Sequence, residues 1–428
     1  MTARFMSILR SWKPIFIIIV TLHLLGACSS NDSSDTSGVA DMFGWAIDIF
    51  GDTAMVGSPG AGMSLSNQDP GKVRIYRLDD GYWRQTQTLT ASDEVLRFGY
   101  SVRISGNTAI VGAPDAPSGG LDRGQAFIFE YINGTWMETQ SFSASDKEDS
   151  ARFGEAVSIS ESTAIVGSPF ASSGGSKRGQ AYVFERQDDT WVQTQILTPS
   201  LPANMGWFGF YLAISGDTTI VGQPGGYAED FTYEMPGRVY IFQRVNSQWT
   251  ETQVLTASDQ SPSDGFGLAV ALQDDIMIVG APGSPAGGER RGKAYVFERT
   301  GQDWAETQIL FAPDAINGDA FGASAAFSGD SAIIGAPLVD LGGTDRGQAY
   351  LFDRATTTWS LTQVLAVSDP TDNAWFGQAV AVSKDIAIGG SPGKIWVSNG
   401  NVYQTSIVGR AYSFVRLDNI WTQRQLLE

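Results

Sequence analysis

Residues 98–114 read "FGYSVRISGNTAIVGAP", residues 153–169 read "FGEAVSISESTAIVGSP", and residues 208–224 read "FGFYLAISGDTTIVGQP". Working outward, the Phe-Gly pair opens seven copies, at Phe43, Phe98, Phe153, Phe208, Phe266, Phe321 and Phe376. The spacing is 55 residues, except for 58 between Phe208 and Phe266. Fourteen residues after each Phe stands a Gly-x-Pro, at Gly57, Gly112, Gly167, Gly222, Gly280, Gly335 and Gly390. Each copy then places a Gln four residues after a Trp: Trp83–Gln87, Trp136–Gln140, Trp191–Gln195, Trp249–Gln253, Trp304–Gln308, Trp359–Gln363 and Trp421–Gln425.

Within a copy the pattern is β. In the third, "EAVSIS", "TAIVGSP", "GQAYVFER" and "TWVQTQILT" are runs of branched and aromatic residues separated by turn residues, with no helical period. "TAIVG" is apolar at consecutive positions, as in a strand buried on both faces. Four short strands every 55 residues predict propeller blades. A solenoid would need polar, atypical end repeats, and the first and last copies match the middle ones. The expected fold is therefore an all-β, seven-bladed propeller spanning residues 43–428, with about four antiparallel strands per blade. One blade cannot bury both its faces; seven in a ring bury one another.

The "FG…VGAP" motif resembles the FG-GAP repeat of integrin α-subunit propellers, and the form here, with "RGQAYVFER" and "TWxETQxLTASD", is most similar to its compact bacterial version. The resemblance covers essentially all of residues 43–428 and implies the propeller fold. It does not specify a ligand, because propellers host many functions. Integrin blades often carry an Asp-rich calcium loop between the first and second strands. Ca²⁺ needs six to eight oxygens, and here that connection is only "SGDTA" or its equivalent, with Asp52, Asp217 and Asp330 each standing alone. The family's calcium sites are not expected. The acidic loops joining one blade to the next (Asp146 with Asp149, Asp259 with Asp264, Asp314 with Asp319) leave two readings open, a cation held at the rim or turn capping.

The Phe and Trp read as inter-blade core. The Gly of Gly-x-Pro reads as a site of close strand approach, the Pro as the end of pairing, and "SGD" or "SGN" as hairpin turns.

The N-terminus is a separate region. Arg4, Arg10 and Lys13 precede the apolar "PIFIIIVTLHLLGA", which is too short for an ordinary spanning helix and has the layout of a secretory signal. The ending "LLGAC" resembles a bacterial lipobox. That resemblance implies a signal peptide at 1–27, lipidation of Cys28, an exported membrane-anchored lipoprotein and, in a Gram-negative cell, the outer membrane. Residues 28–42 read as the lipidated Cys and a flexible tether. Cleavage would shift the formal charge from −18 to −21 and remove His23, the only histidine.

Composition narrows the functions. Only 17% of residues are charged and the balance is acidic, which argues against nucleic acid. Without His there is no Ser-His-Asp triad and no histidine zinc site. No phosphate-cradling Gly loop appears. Paired carboxylates remain open to a glycan-active enzyme, but no pair stands out. The chain is not expected to be an enzyme or to carry a cofactor.

The departures from the repeat point to one face. From the Gly of Gly-x-Pro to the next strand's Gly takes 12 residues in copies two, three, five and six. It takes 14 in copy one, 15 in copy four and 19 in copy seven. Strand parity places these 2–3 loops on the same face as the 4–1 loops that join blades. Loops on a rigid scaffold are where binding usually sits. The candidate ligand-binding residues are Tyr227, Phe231 and Tyr233 of copy four and Trp396 and Tyr403 of copy seven, with Trp45 and Trp375 near the junction of copies seven and one. The junction aromatics have two readings, sealing the seam or binding a ligand. The expected function is non-catalytic recognition of a protein or matrix partner. The alternative is a lectin with sites between blades.

Overall fold

The computed structural model describes residues 41–60, 70–93, 95–146, 148–172, 174–227, 234–262, 264–286, 289–393, 395–398, 401–404 and 408–428. The leader, Cys28, Phe231 and Tyr233 lie outside the described residues. Among the described residues no helix is long and apolar enough to cross a membrane.

Seven four-stranded antiparallel sheets form the propeller, and each is built from four strands consecutive within its own copy, apart from short hairpins inserted in three 2–3 loops. Blade two shows the pattern: Ser101–Ser105, Thr108–Ala113, Gln125–Ile132 and Thr135–Phe142. The innermost strands of neighbouring blades contact one another around the ring, including Ala46–Phe50 with Val380–Ser383 across the closing junction. No strand is exchanged there. The second strand is buried along its length, as its continuous apolar run requires. The outermost strand alternates, with Trp136 inside and Thr135 and Met137 outside. It carries a register shift opposite Ile128 and Phe129, which every blade repeats at the same place.

Three repeated devices join the blades. The first is the Phe, almost fully buried in each copy and packed edge-on against aromatic rings of its own third strand, such as Phe98 on Phe127 and Phe129. It lies in a layer shared with the preceding blade's Val73 and Ile75.

The second is glycine to glycine. A Cβ on Gly112 would lie far inside contact distance of the Gly154 carbonyl in the next blade. The same holds at every junction, including Gly390 against Gly44. The third is the Gln that follows each Trp. Its side-chain amide pairs with the backbone of the next blade's Trp in both directions: Gln87 Nε2 donates to Trp136 O at 2.7 Å, and Trp136 N donates to Gln87 Oε1 at 2.9 Å. The last Gln closes the circle, with Gln425 bonded to Trp83 O at 2.8 Å and Trp83 N at 2.9 Å.

Asp41 and Met42, read from sequence as the end of the tether, belong to blade one. Asp41 pairs with Arg74 at 3.2 Å and Lys72 at 3.3 Å, and Met42 is buried.

Candidate functional site

The 2–3 loops and the 4–1 loops share a face. Phe153 N donates to Arg123 O of the preceding blade's 2–3 loop at 2.9 Å, and Phe98, Phe208, Phe321 and Phe376 do the same with Pro70, Arg178, Arg291 and Arg346. Arg123 reaches Asp149 at 2.6 Å, and Arg346 reaches Asp372 at 2.7 Å. Among the described residues three 2–3 loops fold into short hairpins. In blade four Gly226–Tyr227 pairs with Glu234–Met235, and in blade five Pro285–Ala286 pairs with Glu289–Arg290. In blade seven Ile395–Ser398 pairs with Asn401–Gln404, and Trp396 stands opposite Tyr403 in register.

The acids of the 4–1 loops have protein partners. Asp146 accepts from Tyr182 Oη at 2.8 Å, and Asp259 accepts from Tyr295 Oη at 2.7 Å and pairs with Lys293. Asp264 accepts the amides of Ser261 and Phe266 at 3.0 Å, and Asp319 that of Ile316 at 2.6 Å. Their partners are tyrosine hydroxyls, turn amides and a lysine. Among the described residues no group of three or more His, Cys, Asp and Glu is placed to hold a metal.

Trp375, expected at the face, is inside it at 2% exposed, and Trp207, at the same phase of blade four, is 5% exposed. Each precedes a Phe-Gly, where φ is left-handed (59° and 56°), and each amide bonds to the preceding blade's 2–3 loop, to Asp345 O and Lys177 O. Trp375 is therefore a packing residue rather than a surface contact. Trp45 is half-buried, and it turns away from the seam. Its ring lies 5.4 Å from that of Tyr100 in blade two, so Trp45 and Trp375 do not form one patch.

What Trp45 joins is the mouth of the axial channel. A cavity of about 150 Å³ opens at the Phe-Gly end of the innermost strands, lined by Trp45, Tyr100, Glu155, Phe210, Tyr211 and Gln378 among others. A second, of about 450 Å³, lies toward the short-turn face and is lined by Asp48, Ser158, Ser160, Gln273 and Ser328. Ile47, Arg103, Val270, Ala325 and Val380 line both, so they are successive stretches of one channel. Asp48 accepts from Ile104 N at 2.8 Å across the blade junction. Burial raises its carboxyl pKa, and Arg103 works against that rise.

The seven copies diverge at this mouth. The residue two after each Phe is Trp45, Tyr100, Glu155, Phe210, Leu268, Ala323 and Gln378. The next residue is Ala or Ser in six copies and Tyr211 in blade four. Blades one to four thus bring large side chains to the opening, while blade six brings Ala323; Leu268 of blade five is buried away from the cavity, and that blade lines it with Ala269 and Val270. Beneath the large half lies a charged cluster. Asp115 bridges Arg97 at 2.7 Å and Arg152 at 2.9 Å, and Arg152 also pairs with Glu155 at 3.1 Å. Both arginines and Glu155 are buried. Burial opposes the charge of Arg152, but Asp115 and Glu155 overcome it and the net shift is upward. Burial and then Glu155 raise the Tyr100 and Tyr211 hydroxyls, so both stay protonated at neutral pH.

Sequence reasoning looked for insertions and missed Tyr100, Glu155, Phe210 and Tyr211. The signal was there, in the columns two and three after Phe when the copies are set in phase.

A family model described as FG-GAP repeat matches residues 83–129, 136–184, 191–242, 249–297 and 304–352. The chain belongs to that family. Each matched unit begins at a Trp, so the family's unit starts with one blade's outer strand and ends in the next blade's third. No curated protein matches the chain. Among solved structures, a Bacteroides fragilis protein provisionally described as a 6-phosphogluconolactonase is 10% identical, with a TM-score of 0.48 over 76% of this chain and 85% of that one. A likeness of that level says nothing of activity.

Proposed function

We propose that the protein is a non-catalytic binding module that recognises a protein or matrix partner on the face carrying the 2–3 and 4–1 loops, with the axial mouth at its centre. One observation carries this reading. Copies that repeat every junction device differ in size, polarity and charge where they line the mouth, as Trp45, Tyr100, Glu155, Phe210, Ala323 and Gln378 do at one phase of the repeat. The hairpins of blades four, five and seven stand on the same face and would widen the contact. The protein would be exported and held at the envelope by lipidated Cys28, in the outer membrane of a Gram-negative cell.

The test is an array of purified matrix proteins and envelope glycans probed with the full chain. Trp45→Ala would lose the signal. Lys384→Ala, on the opposite face, would keep it. Loss with Lys384→Ala and retention with Trp45→Ala would place the contact on the wrong face. Palmitate labelling that disappears in Cys28→Ser tests the anchor separately.

A further inference from the structure

We infer that the axial mouth is a subsite for a single neutral pyranose unit, such as the terminal sugar of a glycan. This rests on the reading of the loop face as the binding face and names its ligand class. It also differs from a lectin with a site at every blade junction, because the subsite occurs once, on the axis.

Three observations lead to a sugar. The first is size. About 150 Å³ is below the roughly 300–1,000 Å³ of sites for drug-sized ligands, and it leaves room for one ring. The second is the wall. Trp45 and Tyr211 are half-buried and present apolar ring surface, backed by Tyr100 and Phe210 at 5.4 and 5.2 Å. Such rings pack against the C–H faces of a pyranose. Gln378 lines the same cavity and suits hydroxyls, its amide offering donor and acceptor, while the Glu155 side chain is buried against Arg152.

The third is charge. An aromatic mouth with a carboxylate would otherwise suit a cation, but here the cations are built in. The guanidiniums of Arg97 and Arg152 stand 5.7 and 5.9 Å from the Tyr100 ring, and both are paired with Asp115. Glu155 is paired with Arg152. Arg103 lines both stretches of the channel and donates to Val102 O at 2.9 Å, and its charge lowers the Asp48 carboxyl pKa against the effect of burial. With acids set against the cations, neither an ammonium nor an anion is favoured, and a neutral polar ring is what fits.

The experiment is saturation-transfer NMR on the full chain with a panel of neutral methyl pyranosides, with choline and glucuronate as charged controls. The expected result is saturation of ring C–H protons for at least one neutral sugar, with transfer weakened tenfold or more in Trp45→Ala and in the milder Gln378→Ala. Transfer to choline or glucuronate but to no neutral sugar would overturn the proposal, as would no transfer at all. No saturation of any neutral sugar, together with array binding to a matrix protein that is lost in Trp45→Ala, would remove the sugar subsite and leave the loop face standing.

Discussion

The blade junctions and the axial mouth are built from the same seven copies under opposite rules. At a junction every copy does the same thing: Gln425 clasps Trp83 as Gln87 clasps Trp136, and Gly390 meets Gly44 as Gly112 meets Gly154. At the mouth six copies carry Trp45, Tyr100, Glu155, Phe210, Ala323 and Gln378 in one phase, and the seventh, blade five, lines it with Ala269 and Val270. The junctions are held by backbone-to-backbone approach and by an amide that imitates a ladder partner, which no other side chain performs in the same space. Nothing in the ring's closure requires a given side chain at the mouth, so that is where the copies differ.

The largest expected effect is at the glycines. Gly112→Ala drives a methyl into the Gly154 carbonyl, and backbone cannot step aside as a side chain can. Overpacking typically costs about 1–3 kcal/mol, and a clash with backbone belongs at the upper end, about 3 kcal/mol, to be read from a denaturant midpoint. A loss below about 1 kcal/mol would break the claim that these glycines set the blade spacing.

Next come the clasps. Gln425→Ala and Gln195→Ala each remove two hydrogen bonds, at about 1 kcal/mol apiece. The closing junction and an interior one should lose the same amount, about 2 kcal/mol. Unequal losses would mean that the ring closes by a different device.

A smaller effect, on the loop face but outside the mouth, depends on pH. Burial raises the Asp319 carboxyl to about 6, opposed by the Ile316 amide it accepts. A folded pKa above the unfolded one gives stability that is fully present below about pH 4 and lost as pH rises through about 6. Asp319→Asn should raise the melting temperature at pH 7, leave it unchanged near pH 4, and flatten that part of the profile. A variant curve parallel to wild type would refute the shift.

The smallest effect is in the short turns. Lys384 holds a left-handed φ of 53° where copies one, two, four and six have Gly. Lys384→Gly should stabilise by at most about 1 kcal/mol. A clear loss would show that the Lys384 side chain contributes to the turn.

How much of this was legible in the sequence follows the same division. Periodicity delivered the blades and the shared face of the loops, because both rest on spacing. The role of the Gln was hidden, since a polar residue on an outer strand gives no sign that it bonds to another blade's backbone. Trp375 stood out as an aromatic near the junction of copies seven and one, yet the left-handed turn before Phe-Gly tucks that position, like Trp207 in blade four, under the neighbouring loop. Tyr211 passed unnoticed because a tyrosine in a strand is ordinary. Only its phase, among six Ala and Ser, marks it as the residue narrowing the channel.

The most direct measurement is made on Ala323→Trp, which adds a large ring to the open side of the mouth at a half-buried position. The account predicts a melting temperature within about 2 °C of wild type and loss of partner binding on the array, because the mouth is filled while every junction is untouched. A fall of many degrees would show that the mouth is packing rather than a site. Binding undiminished by the added Trp would contradict the claim that the partner is read there.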